Sequence, residues 1–252
     1  MLFNSPPFLV YFLPACLLGY QIAAHFGRRA VIGWLVLASL VFYAYWNPSF
    51  VIVLITSMLV NFAVSKAIAA AGEQNKTRWM IVGVTLNLAG LCYFKYLFPT
   101  IKFLASFGAG HHSIREVLLP LGISFFTFTQ IAYLVDLSQG EATEQNFLEY
   151  ALFVTFFPHL IAGPILHHRE IMPQFSEDRS YKLNPDDLMV GISWFVMGMA
   201  KKTLIADKLA LVAAPAFDYV AYRSPLEAWV GVVCYSLQLY FDFSGYSDMA
   251  IG

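Results

Sequence analysis

Charged side chains are scarce in this 252-residue sequence: Asp, Glu, Lys and Arg make up 12% of it, against roughly 25% in ordinary globular chains. Half of the usual polar coat is missing, which excludes a soluble enzyme and a disordered segment. Neither sign dominates, since 15 Lys+Arg face 16 Asp+Glu, and no bulk basic field exists to hold a nucleic acid. Cysteine is equally sparse. Cys16, Cys92 and Cys234 lie far apart in apolar stretches, a spacing that argues against a disulfide framework or a cysteine zinc site and reads as buried thiols filling space. There is no Gly-x-Ser-x-Gly elbow, no phosphate-binding glycine-rich loop and no dinucleotide fingerprint. No basic stretch precedes the first apolar run, whose first charges, Arg28 and Arg29, follow it; it reads as a retained helix, not a cleaved leader.

What is present is hydrophobic: 59% of all residues are hydrophobic and 17% of all residues are aromatic, with mean hydropathy +0.63. A helix needs about 20 mostly apolar residues to cross the hydrocarbon layer. Runs of that kind cover Phe8 to Phe26, Val31 to Trp46, Phe50 to Ala70, Trp79 to Phe98, Val117 to Val135, Phe147 to Leu166, Leu188 to Ala206 and Leu226 to Ile251. No segment repeats at a fixed period. The expectation is an all-α, polytopic transmembrane bundle, one domain over residues 1–252, with about eight hydrophobic elements and broken or re-entrant helices.

If all eight elements cross and the N-terminus is outside, Arg28, Arg29, Lys66, Lys76, Arg78, Lys201, Lys202, Lys208 and Arg223 fall inside. Lys95, Lys102, Arg115, Arg169, Arg179 and Lys182 fall outside. This excess of inside cations predicts an extracytoplasmic N-terminus by the positive-inside rule. Two runs carry interruptions, Leu119-Pro120-Leu121-Gly122-Ile123-Ser124 and Ala162-Gly163-Pro164. Each is read either as a packing kink or as backbone lining a wet cavity, because unpaired backbone groups at membrane depth survive only in protein or beside water. Their occurring twice favours a cavity or a re-entrant segment.

Ionisable groups in apolar spans are costly and mark candidate sites. The richest group lies between Tyr235 and Met249, where Tyr235, Gln238, Asp242, Tyr246 and Met249 follow steps of three and four and form one helical stripe. The stripe reads either as an interhelical hydrogen-bond network or as the lining of a polar tunnel; Gln238, Tyr240, Asp242, Ser244, Tyr246 and Asp248 are the lining candidates. A second group holds His159, then His167-His168-Arg169-Glu170. Histidine exchanges protons near neutral pH, but His167 and His168 adjoin a charged loop and read as solvated, while His159 reads equally as a satisfied core residue or a functional one. No metal site is expected, since adjacent histidines do not share a helix face. In the third group, from Gly122 to Asp136, the Ser and Thr hydroxyls are expected to bond back to their own helix, leaving Gln130 and Asp136 as the harder residues to explain. Lys201-Lys202 with Asp207-Lys208 reads as a basic membrane boundary whose side chains snorkel to headgroups.

These motifs together resemble a known family. Met1-Leu2-Phe3-Asn4-Ser5, the run from Pro120 to Phe128, the run from Phe157 to Ile165, Lys201-Lys202 with Ile205-Ala206-Asp207, and Asp242-Phe243-Ser244-Gly245-Tyr246-Ser247-Asp248-Met249-Ala250-Ile251-Gly252 are similar to the membrane-bound O-acyltransferase family. The likeness is to its alginate O-acetyltransferase branch and, more distantly, to the D-alanyl-transfer branch of teichoic acid modification. It implies a bacterial inner-membrane enzyme that passes an acetyl group towards a hydroxyl of an alginate-like extracytoplasmic polysaccharide. Ring-packed helices would surround a tunnel entered by donor and acceptor from opposite faces. No bound cofactor is implied; acetyl-CoA or a similar thioester would be the donor. Membrane lipid, the polysaccharide or a periplasmic acyl-relay protein would be its partners, and nucleic acid would not.

The family's central base is a histidine in a Trp-His-Ile-Ser type motif shortly after the Asp-Phe-Ser-Gly-Tyr-Ser-Asp segment. None of the six histidines here matches it, so no catalytic residue is assigned. The sequence stops at Gly252, and the expectation is that it is the first half of a longer protein, inactive in acetyl transfer without its continuation. Two readings from other classes stand beside this one: a transporter or channel, for which broken helices and a polar stripe would also serve, and a non-catalytic scaffold docking a periplasmic partner through Phe175 to Asp187.

Overall fold

The computed structural model describes residues 1–97, 99–101, 103, 119–141, 146–161, 163, 168–176, 184–218 and 224–252. Among the described residues every regular element is helical, as expected of an all-α membrane bundle. Three helices are long and apolar enough to cross a membrane: Pro48–Ala70, Glu73–Ile101 and Pro185–Phe217. Phe8–Ala24 and Ile123–Ser138 are apolar but shorter. His167, Ala162, Pro164 and most of the stretch from Phe175 to Asp187 lie outside the described residues. The chain packs as two compact units.

The larger unit takes in Ala15–Ile161 and Ile165–Tyr181. It contains most of α1 (Leu13–Ala24), with α2 (Arg28–Ala44), α3 (Pro48–Ala70), α4 (Glu73–Cys92), α5 (Ile123–Ser138), α6 (Phe147–Thr155), α7 (Phe157–Leu160) and α8 (His168–Ile171). Helix α3 starts where Asn47-Pro48-Ser49 breaks the apolar pattern. The Asn47 side chain accepts a bond from the Ser49 N–H at 3.0 Å, and Pro48 takes the first helical position, where its missing N–H costs nothing. Asn146 caps α6 in the same way. The core is built from Leu54, Ile68, Tyr133, Leu134, Tyr150, Phe153 and Leu160. Of the three cysteines only Cys16 is buried; Cys92 is exposed and Cys234 half-buried. On helices with an apolar outer face, a thiol needs no burial to be tolerated.

The expected span from Phe147 to Leu166 is not continuous. Helix α6 ends at Thr155 after nine residues, Phe156 leaves helical geometry at φ −50°, ψ 109°, and a single turn, α7, follows. Pro158 lacks an N–H and its ring crowds the carbonyl four residues back, which ends the helix. Nine residues rise about 14 Å, half of the hydrocarbon layer.

The first interruption is closed against protein at Gly122. Gly122 adopts φ +70°, and a Cβ there would lie 2.7 Å from the Leu160 carbonyl oxygen. Helix α2 satisfies the loosened backbone on each side: the Tyr43 hydroxyl donates to the Leu121 carbonyl at 2.9 Å, and the Phe157 N–H donates to Ser39 Oγ at 3.1 Å. Of the stretch from Leu119 to Ser124, Pro120 and Ile123 are buried while Leu119 and Ser124 are exposed, so the break packs on protein through part of its residues. A hydroxyl from a neighbouring helix replaces water.

The smaller unit takes in Leu2–Pro14, Ala162–Pro164 and Lys182–Gly252. Its helices are α9 (Pro185–Ala200), α10 (Asp207–Asp218) and α11 (Pro225–Ile251); a π-helical turn, Lys201–Ala206, joins α9 to α10 without a break. Helix α9 is capped by Asn184 ahead of Pro185. Helix α11 opens with a full capping box, Ser224 and Glu227 each bonding the other's backbone N–H around Pro225, a reciprocal arrangement that satisfies two free donors. Phe3 stacks on Tyr246 with ring centroids 4.6 Å apart.

Candidate functional site

The stripe read from α11 meets two lysines. Lys202 Nζ lies 2.8 Å from Asp242 Oδ1 and 2.8 Å from Asp207 Oδ1. Lys201 Nζ lies 2.6 Å from Asp248 Oδ2 and 3.0 Å from Ser244 Oγ. The two ammonium groups come from adjacent residues of the π-helical turn and grip α11 on either side of Gly245. What permits the reach is backbone proximity: a Cβ on Gly245 would lie 2.7 Å from the Gly198 carbonyl oxygen, and one on Gly198 would lie 2.5 Å from that of Gly245. Only glycine lets two helices come this close.

The lysines were expected to snorkel to headgroups. They turn into the protein instead, because Lys201 stands midway along the apolar helix Pro185–Phe217, with about 24 Å of helix to either end. An ammonium so placed is well served by a carboxylate on the next helix. This pairing is what sequence reasoning missed; the signal available was two lysines and two aspartates in neighbouring apolar runs.

The tunnel-lining candidates on α11 do not share one environment. The Asp248 side chain is 11% exposed and that of Asp242 is 41% exposed, so Asp242 is the open carboxylate of the two. Gln238, Ser244 and Tyr246 are half-buried. Tyr240, two residues from Asp242 and so on a different helix face, is 64% exposed among Leu237, Leu239 and Phe243; the structure does not bring it to the lysine cluster.

Gln130 and His159 belong to the larger unit. Gln130, fully buried, ties three helices: it accepts from Tyr150 Oη on α6 at 3.0 Å and donates to Ser57 Oγ on α3 at 3.0 Å and to the Phe126 carbonyl of its own helix at 3.1 Å. Thr129 bonds back to Phe125, as the dull reading of these hydroxyls has it. His159 is buried, its Nε2 2.8 Å from the Phe153 carbonyl oxygen and its ring packed near Phe153 and Phe156. His168, expected to be solvated, is buried between the rings of Tyr133 and Phe153. Its chain turns inward at α8, and burial holds its imidazole below the ordinary value against the pull of Asp136.

A cleft of about 440 Å³ opens between α3, α4 and α5, lined by Ile52, Val60, Leu86, Phe94 and Phe126 with Ser57, Asn61 and Asn87 at polar points. Asn61 and Asn87 pair amide to amide across α3 and α4, so these two amides satisfy each other and most of the remaining wall is apolar. Among the described residues no group of three or more His, Cys, Asp or Glu is placed to hold a metal ion.

Comparison with known proteins gives a matching family model and several named relatives. Residues 40–252 match the family model described as MBOAT, membrane-bound O-acyltransferase family. The chain is 41% identical to a peptidoglycan O-acetyltransferase of Helicobacter pylori, over 100% of this chain and 53% of that protein, and 39% identical to a probable alginate O-acetylase of Pseudomonas aeruginosa, over 100% of this chain and 48% of that protein. A teichoic acid D-alanyltransferase of Bacillus subtilis is 27% identical over 56% of this chain and 36% of its own length. The chain spans about half the length of the first two relatives.

Proposed function

The chain belongs to the membrane-bound O-acyltransferase family, and we propose that it works as part of a multi-pass bacterial inner-membrane enzyme that transfers an acetyl group to a hydroxyl of an extracytoplasmic polysaccharide. The carrying observation is its identity of about 40%, along its whole length, to relatives named for O-acetylation of alginate and of peptidoglycan. In the transfer, the acceptor oxygen attacks the thioester carbonyl, the carbon–sulfur bond breaks, and the hydroxyl proton ends on the released thiol. Acetyl-CoA or a similar thioester is the donor. A base, donors for the developing oxyanion and exclusion of water are needed.

This chain supplies wall and polar lining. Asp242, with Ser244, Tyr246 and Gln238, orients the acceptor, and Asp248 is held behind them by Lys201. The described histidines do not serve as the base. His25 bonds back to its own helix, and His159 and His168 are packed among aromatic rings. We propose, because the family's Trp-His motif does not occur in this sequence, that the 252-residue chain by itself transfers no acetyl group. The N-terminus lies outside, a reading supported by Arg28 and Arg29 directly after the first apolar run.

Deleting the encoding gene in its own organism tests the function. Ester acetate released by mild alkali from the exopolysaccharide or the peptidoglycan should fall and return on complementation, and the polymer that loses it names the acceptor. Unchanged acetate in every cell-surface polymer would defeat the reading.

A further inference from the structure

We propose that Lys202 is a positioning residue for Asp242 in the acyl-transfer site, with Lys201 doing the same for Asp248; the proposal rests on the O-acyltransferase reading above. The two lysines and the three carboxylates they touch form a cluster midway along an apolar helix 33 residues long. Apolar side chains would hold two such helices together at least as well, since buried ion pairs rarely repay their desolvation. Charges kept at that depth point to use.

The geometry says what the use is. Lys201 and Lys202 open the π-helical turn Lys201–Ala206, and such widened turns inside long helices recur at functional sites. Adjacent side chains there diverge, and with Gly245 pressed against Gly198 one ammonium reaches Asp242, three residues before that glycine, and the other Asp248, three residues after it. Lys202 engages Oδ1 of Asp242, whose side chain is 41% exposed, and Oδ2 of this more open carboxylate stands outside that contact. A carboxylate anchored by one oxygen and offering the other is suited to accept a bond from a sugar hydroxyl. The ligand class at this point is therefore a neutral, hydroxyl-bearing part of the acceptor. With three carboxylates against two ammonium groups, an anionic group would be repelled.

The test uses the full-length natural protein in a strain lacking its own copy. Polymer ester acetate is measured per unit of membrane-inserted protein for K202M, K202R, D242N and the K202M/D242N pair. K202M is expected to lose tenfold or more and K202R to keep at least half, because a second cation restores the anchor. The pair is expected to match D242N alone, as for two residues acting through one contact. K202M equal to the unaltered protein, K202R as poor as K202M, a pair additive in its losses, or a fall in protein level that accounts for the whole effect would each overturn the proposal. If the unaltered protein restores no acetate, the acyltransferase reading fails, and this one with it; the four variants then need no comparison.

Discussion

Gly198 and Gly245 meet backbone to backbone, each standing where a methyl group on the other would have to go. The contact recurs one heptad away, where a Cβ on Gly191 would lie 2.7 Å from the Gly252 carbonyl oxygen and one on Gly252 would lie 2.5 Å from that of Gly191. Helices α9 and α11 thus run antiparallel along a seam of glycines spaced seven apart on each, and the lysine–carboxylate cluster sits beside its Gly198–Gly245 contact.

Gly245→Ala should open this seam. Overpacking of this kind costs about 1–3 kcal/mol, and here it also moves Lys201 and Lys202 away from α11. The melting temperature in detergent should fall, whereas Gly33→Ala, at a site with nothing within 4 Å of an added Cβ, should leave it near the unaltered value.

Gln130→Leu should destabilise by about 1–3 kcal/mol, because it strands the Tyr150 hydroxyl without an acceptor in a buried place. Combining it with Tyr150→Phe removes the stranded donor, and part of the loss should return. Thermal unfolding of the single and double variants checks both.

Tyr43→Phe should cost about 1–3 kcal/mol by leaving the Leu121 carbonyl without its donor at the break before α5. Gly122→Ala should cost more, since it adds a left-handed backbone penalty to a Cβ placed 2.7 Å from the Leu160 oxygen. Proteolysis of detergent-solubilised protein should cut such variants sooner.

Asp242→Asn in the full-length protein should lower polymer acetylation tenfold or more at normal membrane levels. Tyr240→Leu should change it less than twofold, because that ring faces away with Leu237 and Phe243. Acetate assay of the purified polymer distinguishes the two residues, and equal effects would return Tyr240 to the site.

The purified 252-residue chain, given acetyl-CoA and an alginate or peptidoglycan fragment, should yield no acetyl ester. Detectable ester would move attention to His159, whose buried Nδ1 has no hydrogen-bond partner among the described residues.

Much of the helix pattern was legible because it rests on neighbours in sequence. Asn47-Pro48, Asn184-Pro185 and Ser224-Pro225 ahead of Glu227 announce helix starts through bonds spanning two or three residues, and low charge with long apolar runs announces a membrane. The stripe through Gln238, Asp242 and Tyr246 follows from helical period alone. The fate of Lys201 and Lys202 did not, and neither did the burial of His168. A local reading sends charged side chains to the nearest water, whereas here Lys201 and Lys202 also reach Asp248 and Asp242, forty or more residues away in sequence, on α11. The nine-residue α6 was missed for a related reason: Pro158 sits in a run apolar enough to pass for a span.

By itself, then, the sequence determined that this chain is helical, embedded in a membrane and punctuated at named residues, since composition and short-range bonding suffice for that. Only the tertiary structure decided that Asp242 and Asp248 are each held by a lysine and that Tyr43 closes the break at Leu121. Those outcomes depend on how near two backbones come, and glycines 198 and 245 set that distance only once their helices pack.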